Sequence, residues 1–382
     1  MAEITFANRL VPWLRQFPWL FTSARFFWRL PRKISIGVAR KWRWGFRLGA
    51  ARGFFSGYEQ VISGECEGSV LLTSQDLPAL PNPSIIEGCG MRQNSRQPWP
   101  IFWRHFAKAR LVGPSLALMN DRKELLIESV YGEEFCRESP SYFYTLLKPP
   151  VVLAGAWTSI IGDITKGYYH WLTDALPRLE LLPNFPANTQ ILAHYPLGKF
   201  ERESLRLLGL LDRVRETSEC HLILEDYYFS SPPVMTGCTS PRGVAWLRAK
   251  FLPHAAPVDT PRKFFVTRRG KTRGITNIGE VLDFFLRLEW AVIDLETLSF
   301  AEQIAWFSNA EFVVAEHGAA LTNLLWCRPG CRVLELFADN YRNGCYEAIA
   351  ICLDLRHTFE VFPADTMHSM GVPLEWLQAK IN

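Results

Sequence analysis

Short apolar segments alternate with amphipathic helical segments through the last third of the 382-residue chain. The helical segment 278–288 follows Asn277, a residue type that caps helix N-termini, and Ser299 with Glu302 forms a capping box before the segment 300–309. Strands and helices that alternate at this spacing predict an α/β fold with a parallel, doubly wound sheet. The predicted strands are 263–267, 291–294, 312–315, 333–337 and 358–362, and further helices are predicted at 320–326 and 341–354.

A less regular α/β series begins near residue 110, and a proline-rich stretch, 232–261, separates it from the second series. Two such units predict a cleft between them, and ligands of open α/β sheets bind at the carboxyl ends of strands. The strand-to-helix loops of the second unit are therefore the first place to look for chemistry. The first series is predicted as a hairpin of 111–119 and 125–129, strands at 151–154, 190–194 and 227–230, and helices at 169–182, 200–208 and 243–252.

Residues 1–52 are strongly basic and aromatic, with eleven Lys or Arg and a single acid, Glu3, whereas the rest of the chain is mildly acidic. From Arg32 a helical projection places the basic residues on one side and Trp and Phe on the other. Three interpretations stay open for this arm: it lies on an anionic membrane surface, it packs on the body, or, less favoured, it binds nucleic acid. Nine irregularly spaced cysteines indicate reduced thiols in a cytosolic protein, and no segment has the length of a transmembrane helix.

A basic loop, residues 267–274, follows the first strand of the second series. It contains Arg268 and Arg273 together with two further cations and two glycines. Arginine binds phosphate oxygens with a planar fork, and glycine lets the backbone approach them, so the loop predicts a diphosphate site. The alternative is a solvated basic loop. A Walker A motif is excluded because Phe265 stands where its first glycine is required.

A second motif, residues 316–323, follows a buried strand and contains His317, Gly318, Ala319 and Asn323. Small residues at a strand–helix junction offer free N–H groups to an anion, and His317 can contact phosphate or sugar. Glu335, in the next strand, can accept hydrogen bonds from ribose hydroxyls. A glycine needed only for packing and an edge-strand glutamate are the simpler alternatives.

A third motif places His170, Asp174 and Arg178 at i, i+4 and i+8, in one row on a helix. A His/Asp pair one turn apart can act as a base and its orienting group, or Asp174 alone can take a hydroxyl proton. Spacing alone favours the simpler interpretation, an ion pair between Asp174 and Arg178. The chain has no zinc-binding spacing, no H-E-x-x-H and no D-x-D, so nothing in it requires a metal.

The order of the three motifs resembles glycosyltransferase family 61, which includes bacterial proteins of capsular polysaccharide biosynthesis. The resemblance runs from about residue 167 to 356. It is carried by Y-Y-H-W…D…P-R-L from residue 168, F-V-T-R-R…R-G-I-T-N from residue 265, and E-H-G-A-A-L-T-N…R-P-G…V-L-E from residue 316.

The resemblance implies a GT-B architecture, in which two Rossmann-like domains face each other and the C-terminal one holds a nucleotide sugar. It also implies inverting transfer, usually from a UDP-linked sugar, with no required metal or other cofactor. The implied diphosphate ligands are Arg268 and Arg273. The other implied roles are His317, Gly318 and Ala319 beneath the phosphates or sugar, Glu335 at the ribose, and His170 or Asp174 as the acceptor-side base; Asn323 and Arg178 complete the candidate substrate-binding set.

Taken together, the sequence predicts a glycosyltransferase that uses a nucleotide sugar and a glycan or glycolipid acceptor in capsule or cell-surface glycan synthesis. The predicted place is the cytoplasm, peripheral to the inner membrane, without nucleic acid as a partner. The alternatives are a non-catalytic nucleotide-binding scaffold at the membrane and a nucleotide hydrolase or phosphotransferase. The predicted divisions are a basic arm at 1–60, an acceptor-side domain at 61–240, a nucleotide-sugar domain at 241–345, and a segment at 346–382 that can return to the N-terminal domain.

Overall fold

The computed structural model describes residues 53–84, 98–130, 149–162, 164–268 and 273–381. The basic segment 1–52 and the middle of the basic loop, 269–272, lie outside these residues. The described chain contains two β-sheets with helices packed on them, and the predicted α/β class is confirmed. Within this part of the chain, no helix has both the length and the apolar character needed to cross a membrane.

The first sheet is mixed, because its central strand β9 pairs antiparallel with β3 and parallel with β6. The parallel run continues from β6 through β7 to β8. The nine strands are β1 (Gly53–Phe55), β2 (Gly68–Leu72), β3 (Ile101–Val112), β4 (Ala117–Met119), β5 (Glu124–Leu126), β6 (Val151–Ser159), β7 (Gln190–His194), β8 (Val214–Thr217) and β9 (His221–Ser230).

The second sheet has five parallel strands in the order β11-β10-β12-β13-β14. The chain runs from β10 outward to β11 and then returns past β10 to β12. The strand order therefore reverses between β10 and β12, and this reversal opens a crevice at their carboxyl ends. The strands are β10 (Lys263–Val266), β11 (Ala291–Ile293), β12 (Phe312–Glu316), β13 (Arg332–Ala338) and β14 (Arg356–Phe362).

Eight α-helices are described. The segment 346–382 supplies most of α7, the edge strand β14 and α8, and β14 extends the five-stranded sheet. The helices are α1 (Gly57–Ile62), α2 (Tyr168–His170), α3 (Lys199–Leu207), α4 (Pro241–Phe251), α5 (Ile278–Arg287), α6 (Phe300–Asn309), α7 (Cys345–Cys352) and α8 (Leu374–Ile381).

One hydrophobic cluster is shared by the two sheets. It contains Ile191 of β7 and Leu205 of α3 as well as Phe264 of β10 and Val313 of β12, all fully buried. A second cluster lies on the other face of the five-stranded sheet and includes Phe265. Adjacent residues of β10 thus point to different clusters, and both faces of this sheet are covered, as in other parallel sheets.

Several predicted elements differ in the structure for local reasons. The helix predicted at 169–182 begins as α2 but changes to a π-helical turn, Trp171–Ala175, and then to a 3₁₀ helix, Leu176–Asn184, because Pro177 cannot continue the α-helical pattern. The segment 111–119 is not one strand, since a turn at 113–116 divides it into the end of β3 and β4.

One of the two predicted helix caps forms, and the other does not. Ser299 and Glu302 form the predicted box: the backbone N–H of Glu302 donates to Ser299 Oγ at 3.3 Å and that of Ser299 donates to Glu302 Oε2 at 2.7 Å. The side chain of Asn277 makes no cap hydrogen bond. It bonds both backbone groups of Val372 instead, at 2.9 and 3.0 Å, and so ties α5 to the loop before α8.

Candidate functional site

A cavity of about 420 Å³ opens at the carboxyl ends of β10, β11 and β12. Its lining comes from both halves of the chain, with Tyr168 and Phe200 on the side of the nine-stranded sheet and Arg268, Glu316 and Gly318 on the other. The location agrees with the expectation that ligands of such sheets bind where the strand order reverses. Its volume falls within the range of small-molecule sites.

Two guanidinium groups stand close together at this edge. Arg268 follows β10, and burial lowers its pKa, which the nearby charge of Arg273 lowers further. The guanidinium carbon of Arg273 lies 4.7 Å from the ring centroid of Tyr341, and its backbone N–H donates to Met367 O at 3.0 Å. Arg268 lines the cavity and also lies near the carboxyl group of Glu316, whereas Arg273 lies next to Arg268 outside the lining. Like charges repel, so two half-buried cations that form no ion pair with an acid among the described residues indicate a place for an anion.

The backbone at Arg273 is held in a left-handed conformation, with a φ of 61°. This conformation is unfavourable for a residue with a Cβ, and such outliers concentrate at functional sites. Hydrogen bonds from the loop before α8 maintain it: Met370 N–H donates to Gly274 O at 2.9 Å, and Met370 O accepts from Thr276 N–H at 2.8 Å. The position of Arg273 is therefore fixed by the fold on both sides.

Gly318 lets Arg268 approach the end of β12. The Nη1 group of Arg268 donates to His317 O at 3.3 Å, and a Cβ built on Gly318 would lie only 2.8 Å from that Nη1. Ala319 is exposed and begins the 3₁₀ helix Ala319–Trp326. Of the predicted small residues, Gly318 makes room for the guanidinium of Arg268.

His317 is held by Glu335, a residue for which the sequence predicted a separate role. The Nδ1 group of His317 lies 2.5 Å from Glu335 Oε1, and Nε2 of His357 lies 2.9 Å from Oε2 of the same carboxylate. Burial raises the pKa of Glu335, but the hydrogen bonds from the two histidines outweigh it and bring the pKa below the usual value. Glu335 is fully buried between two imidazoles, so it orients His317, and the structure does not place it at a ligand.

His170 and Asp174 form a close pair. Nδ1 of His170 lies 2.8 Å from Asp174 Oδ2, and the hydroxyl groups of Thr173 and Thr236 donate to the same carboxylate. The side chain of Asp174 is 0% exposed, whereas that of His170 is 26% exposed. His170 can therefore reach a substrate, and Asp174 can only orient it.

The ion pair that spacing favoured for Asp174 is wrong. Arg178 does not meet Asp174, because the 3₁₀ segment turns its side chain toward the nine-stranded sheet. There Nε donates to Ser230 O and Nη1 to Ile161 O, each at 3.3 Å. Arg178 is buried among these carbonyl groups and does not line the cavity.

Asn323 lies at the cavity but its hydrogen bonds are internal. Its Oδ1 accepts from the hydroxyl of Tyr168 at 2.8 Å and from Nε1 of Trp326 at 3.0 Å, while Nδ2 donates to Gln303 Oε1 at 3.2 Å and to Ala320 O at 3.1 Å. This network joins α2 to the helices of the five-stranded sheet. Asn323 therefore shapes the cavity wall.

A chain of aromatic rings connects the two groups of residues. Ring centroids lie 5.1 Å apart for His170 and Tyr169, 5.9 Å for Tyr169 and Tyr346, and 5.1 Å for Tyr346 and His317. The aromatic residues lie between the His170–Asp174 pair and the arginines. The three predicted motifs therefore meet in one continuous region of the molecule.

Sequence reasoning gave no role to Glu316, although it stands within the second motif. Its side chain lines the cavity, only 3% of the residue is exposed, and neither carboxylate oxygen has a hydrogen-bond partner. The signal available in the sequence was an acid directly after four apolar strand residues. Within the described ranges, no group of three or more His, Cys, Asp or Glu residues is arranged to hold a metal ion.

Two comparisons with known proteins show which family this part of the chain is similar to. The sequence model of the family Glycosyltransferase 61 matches residues 168–334. The EGF domain-specific O-linked N-acetylglucosamine transferase of Drosophila melanogaster is 27% identical over 154 residues, which are 37% of this chain and 29% of that protein. The chain thus matches less than a third of its relative's length. The family match begins at α2 and ends in β13, and it relates this part of the chain to glycosyltransferase family 61.

Proposed function

We propose that this protein is an inverting glycosyltransferase whose donor, a nucleotide sugar, binds in the cavity between β10 and β12. The observation that carries the proposal is the pair Arg268 and Arg273, two cations held together at the reversal of strand order. Guanidinium groups at this place suit a diphosphate, and they stabilise the negative charge that develops on it as the glycosidic bond breaks. Positively charged side chains can serve here in place of a metal ion.

His170 is the proposed general base. Nδ1 faces Asp174, so the carboxylate fixes the tautomer in which Nε2 accepts a proton. In the proposed reaction Nε2 removes the proton of the acceptor hydroxyl, whose oxygen attacks the anomeric carbon from the face opposite the diphosphate. The carbon–oxygen bond to the diphosphate breaks, and Arg268 and Arg273 hold the departing anion.

The two sheets are proposed as the two halves of a GT-B arrangement, with residues 61–240 on the acceptor side and the residues from 241 on the donor side. The acceptor is proposed to be a polysaccharide or glycolipid of capsule or cell-surface glycan synthesis, on the strength of the family resemblance alone. The charge of residues 1–52 supports a peripheral position at the cytoplasmic face of a membrane. UDP is the proposed nucleotide, and N-acetylglucosamine, the sugar in the name of the Drosophila relative, belongs in the first donor screen.

Calorimetric titration with UDP in the presence of EDTA tests the proposal. We expect binding in the micromolar range and a matching thermal shift, since ligand that binds only the folded state raises the melting temperature. Absence of UDP binding, or binding only after magnesium is added, would contradict the metal-free nucleotide site. Binding with no transfer from any UDP-sugar would instead favour a non-catalytic scaffold, and release of phosphate alone would favour a hydrolase.

Gly318→Ala should weaken UDP binding by about tenfold, or roughly 1.4 kcal/mol, without unfolding the protein. The φ of residue 318 is 172°, which alanine adopts freely, so the effect comes from the new Cβ displacing Nη1 of Arg268. Gly279→Ala is the matched control, because a Cβ on that glycine meets nothing within 4 Å. Calorimetry on both variants measures the difference, and equal affinities would show that the guanidinium does not need its present position.

A further inference from the structure

Glu316 has no role in the glycosyl transfer proposed above, yet the burial of its carboxyl group costs free energy. The carboxyl group ends β12, is almost completely buried and lacks a hydrogen-bond partner at both oxygens. Buried polar groups without partners cost free energy, so a fold keeps one only where something else compensates. An orphaned carboxyl group that lines a cavity indicates that a ligand supplies the partner.

Most of the other polar side chains that line the cavity have hydrogen-bond partners within the protein. Glu203 accepts from the backbone N–H of Phe300 at 2.7 Å, and Asp294 accepts from that of Glu296 at 3.1 Å. Lys199 donates to Leu298 O at 3.2 Å. Tyr168, Gln303 and Asn323 satisfy one another. Among the described acids of the lining, Glu316 is the buried one whose oxygens both lack a hydrogen-bond partner, whereas Glu296 is exposed to solvent.

The chemistry of the missing partner follows from the state of the carboxyl group. Burial raises the pKa of Glu316 to about 8, although the charge of Arg268 acts in the opposite direction. Near neutral pH the group therefore exists in both forms, one that donates and accepts and one that only accepts. A hydroxyl group can pair with either form, whereas a phosphate oxygen can pair only with the protonated one. Sugar rings supply such hydroxyl groups.

We propose that Glu316 is a ligand-binding residue that hydrogen-bonds a sugar hydroxyl of the bound nucleotide sugar, either on the ribose or on the transferred sugar. The proposal rests on the function proposed above, because it takes the cavity as the donor site. In this proposal Glu316 makes binding depend on a hydroxyl group of the donor, whereas the arginines bind its negative charge.

The test compares ligands that differ in one hydroxyl group. Affinities for UDP, 2′-deoxy-UDP, 3′-deoxy-UDP and the UDP-hexose that binds most tightly are measured by calorimetry on the wild type, Glu316→Ala and Glu316→Gln. A hydrogen bond to an ionisable group corresponds to a loss of about tenfold or more in affinity. Glu311→Ala is the control, because Glu311 precedes the same strand at its other end and is exposed.

A ribose contact predicts that the wild type prefers UDP over one deoxy analogue by at least about tenfold and that Glu316→Ala has no such preference. A contact to the transferred sugar predicts that Glu316→Ala binds UDP normally but loses the extra affinity for the UDP-hexose. Glutamine should retain part of either effect. If Glu316→Ala bound all four ligands as tightly as the wild type does, the role of Glu316 would be overturned but the proposed donor site would stand. If the wild type did not bind UDP, the donor site would be overturned as well.

A stability measurement separates a ligand-binding role from a structural one. The folded carboxyl group keeps its proton up to about pH 8, but the unfolded one loses it near the model-peptide value of 4.5, so a rise in pH through this window favours unfolding. The unfolding constant of the wild type, relative to Glu316→Gln, should rise by up to about tenfold per pH unit across the window. The other charged or titratable groups at the cavity are Tyr168, Lys199, Glu203, Arg268, Asp294 and Glu296, and they are common to both proteins. Denaturant unfolding at pH 5 and pH 8 measures the difference, and a Gln variant that is less stable at pH 8 would show that the carboxyl group supports the fold.

Discussion

Arg273→Ala should lower the rate of glycosyl transfer by about 10²–10³-fold, the loss that accompanies removal of one preorganised group from a developing negative charge. The fold should remain intact, because the hydrogen bond from residue 273 to Met367 uses its backbone N–H and its half-buried side chain lies over the ring of Tyr341. UDP affinity should fall together with the rate, since the guanidinium faces the proposed diphosphate in the ground state too. Steady-state kinetics and calorimetry in EDTA measure both effects.

Two further variants make the result specific. Arg273→Lys keeps the charge but not the planar fork, so it should recover part of the binding. Arg262→Ala removes an exposed arginine at the opposite edge of the same sheet, where it pairs with Glu311, and should leave binding and turnover unchanged. A near-normal rate for Arg273→Ala would contradict the assignment of the diphosphate to this edge of the sheet.

His170→Ala should lower transfer by about 10²–10⁴-fold, the usual contribution of a general base. UDP affinity should not change, because the proposed base acts on the acceptor hydroxyl and is separated from the arginines by the rings of Tyr169 and Tyr346. Asp174→Asn should show the same separation with a smaller loss, because the ring keeps its place but loses the carboxylate that selects its tautomer. The combination of normal nucleotide binding and slow transfer distinguishes this pair from the arginines.

The control for this pair is His254→Ala, which removes an exposed histidine after α4. It should behave as the wild type in both measurements. If His170→Ala transferred sugar at the normal rate, the base would lie elsewhere, and a parallel loss of UDP binding would place His170 in the donor site instead.

The sequence predicted the five-stranded sheet well because its signals are local. Strands buried on both faces are short apolar runs, and the capping box of Ser299 and Glu302 fixes where α6 begins. Asn277 had the same local signature as a cap, yet its side chain bonds Val372, 95 residues away. The bond of Asn277 depends on the loop between β14 and α8, which is distant in the sequence. A local sequence pattern cannot contain this contact.

The sequence predicted which residues lie in the site better than it predicted what each of them contacts. Spacing placed two neighbours of Asp174 on the helix, His170 and Arg178, and favoured the ion pair with Arg178. The structure pairs Asp174 with His170 instead, through a π-helical turn and with Thr236, a residue of a distant segment, bonded to the same carboxylate. For Glu335 the pairing of β13 with β14 brings His357 to the carboxylate, and a local sequence pattern does not contain this contact. Glu316 became a candidate only because the structure shows its buried oxygens without hydrogen-bond partners.

The hydrophobic cluster shared by the two sheets has a consequence for how this protein can be recombined. Side chains from β7 and α3 interdigitate with those from β10 and β12, so a cut in the proline-rich stretch would expose core surface on both fragments. The half that is proposed to bind the donor is therefore not a unit that can be exchanged by itself. A chimera with another transferase has to carry a matching partner face along with the catalytic residues, and change of donor specificity by substitution inside the cavity is the more accessible route.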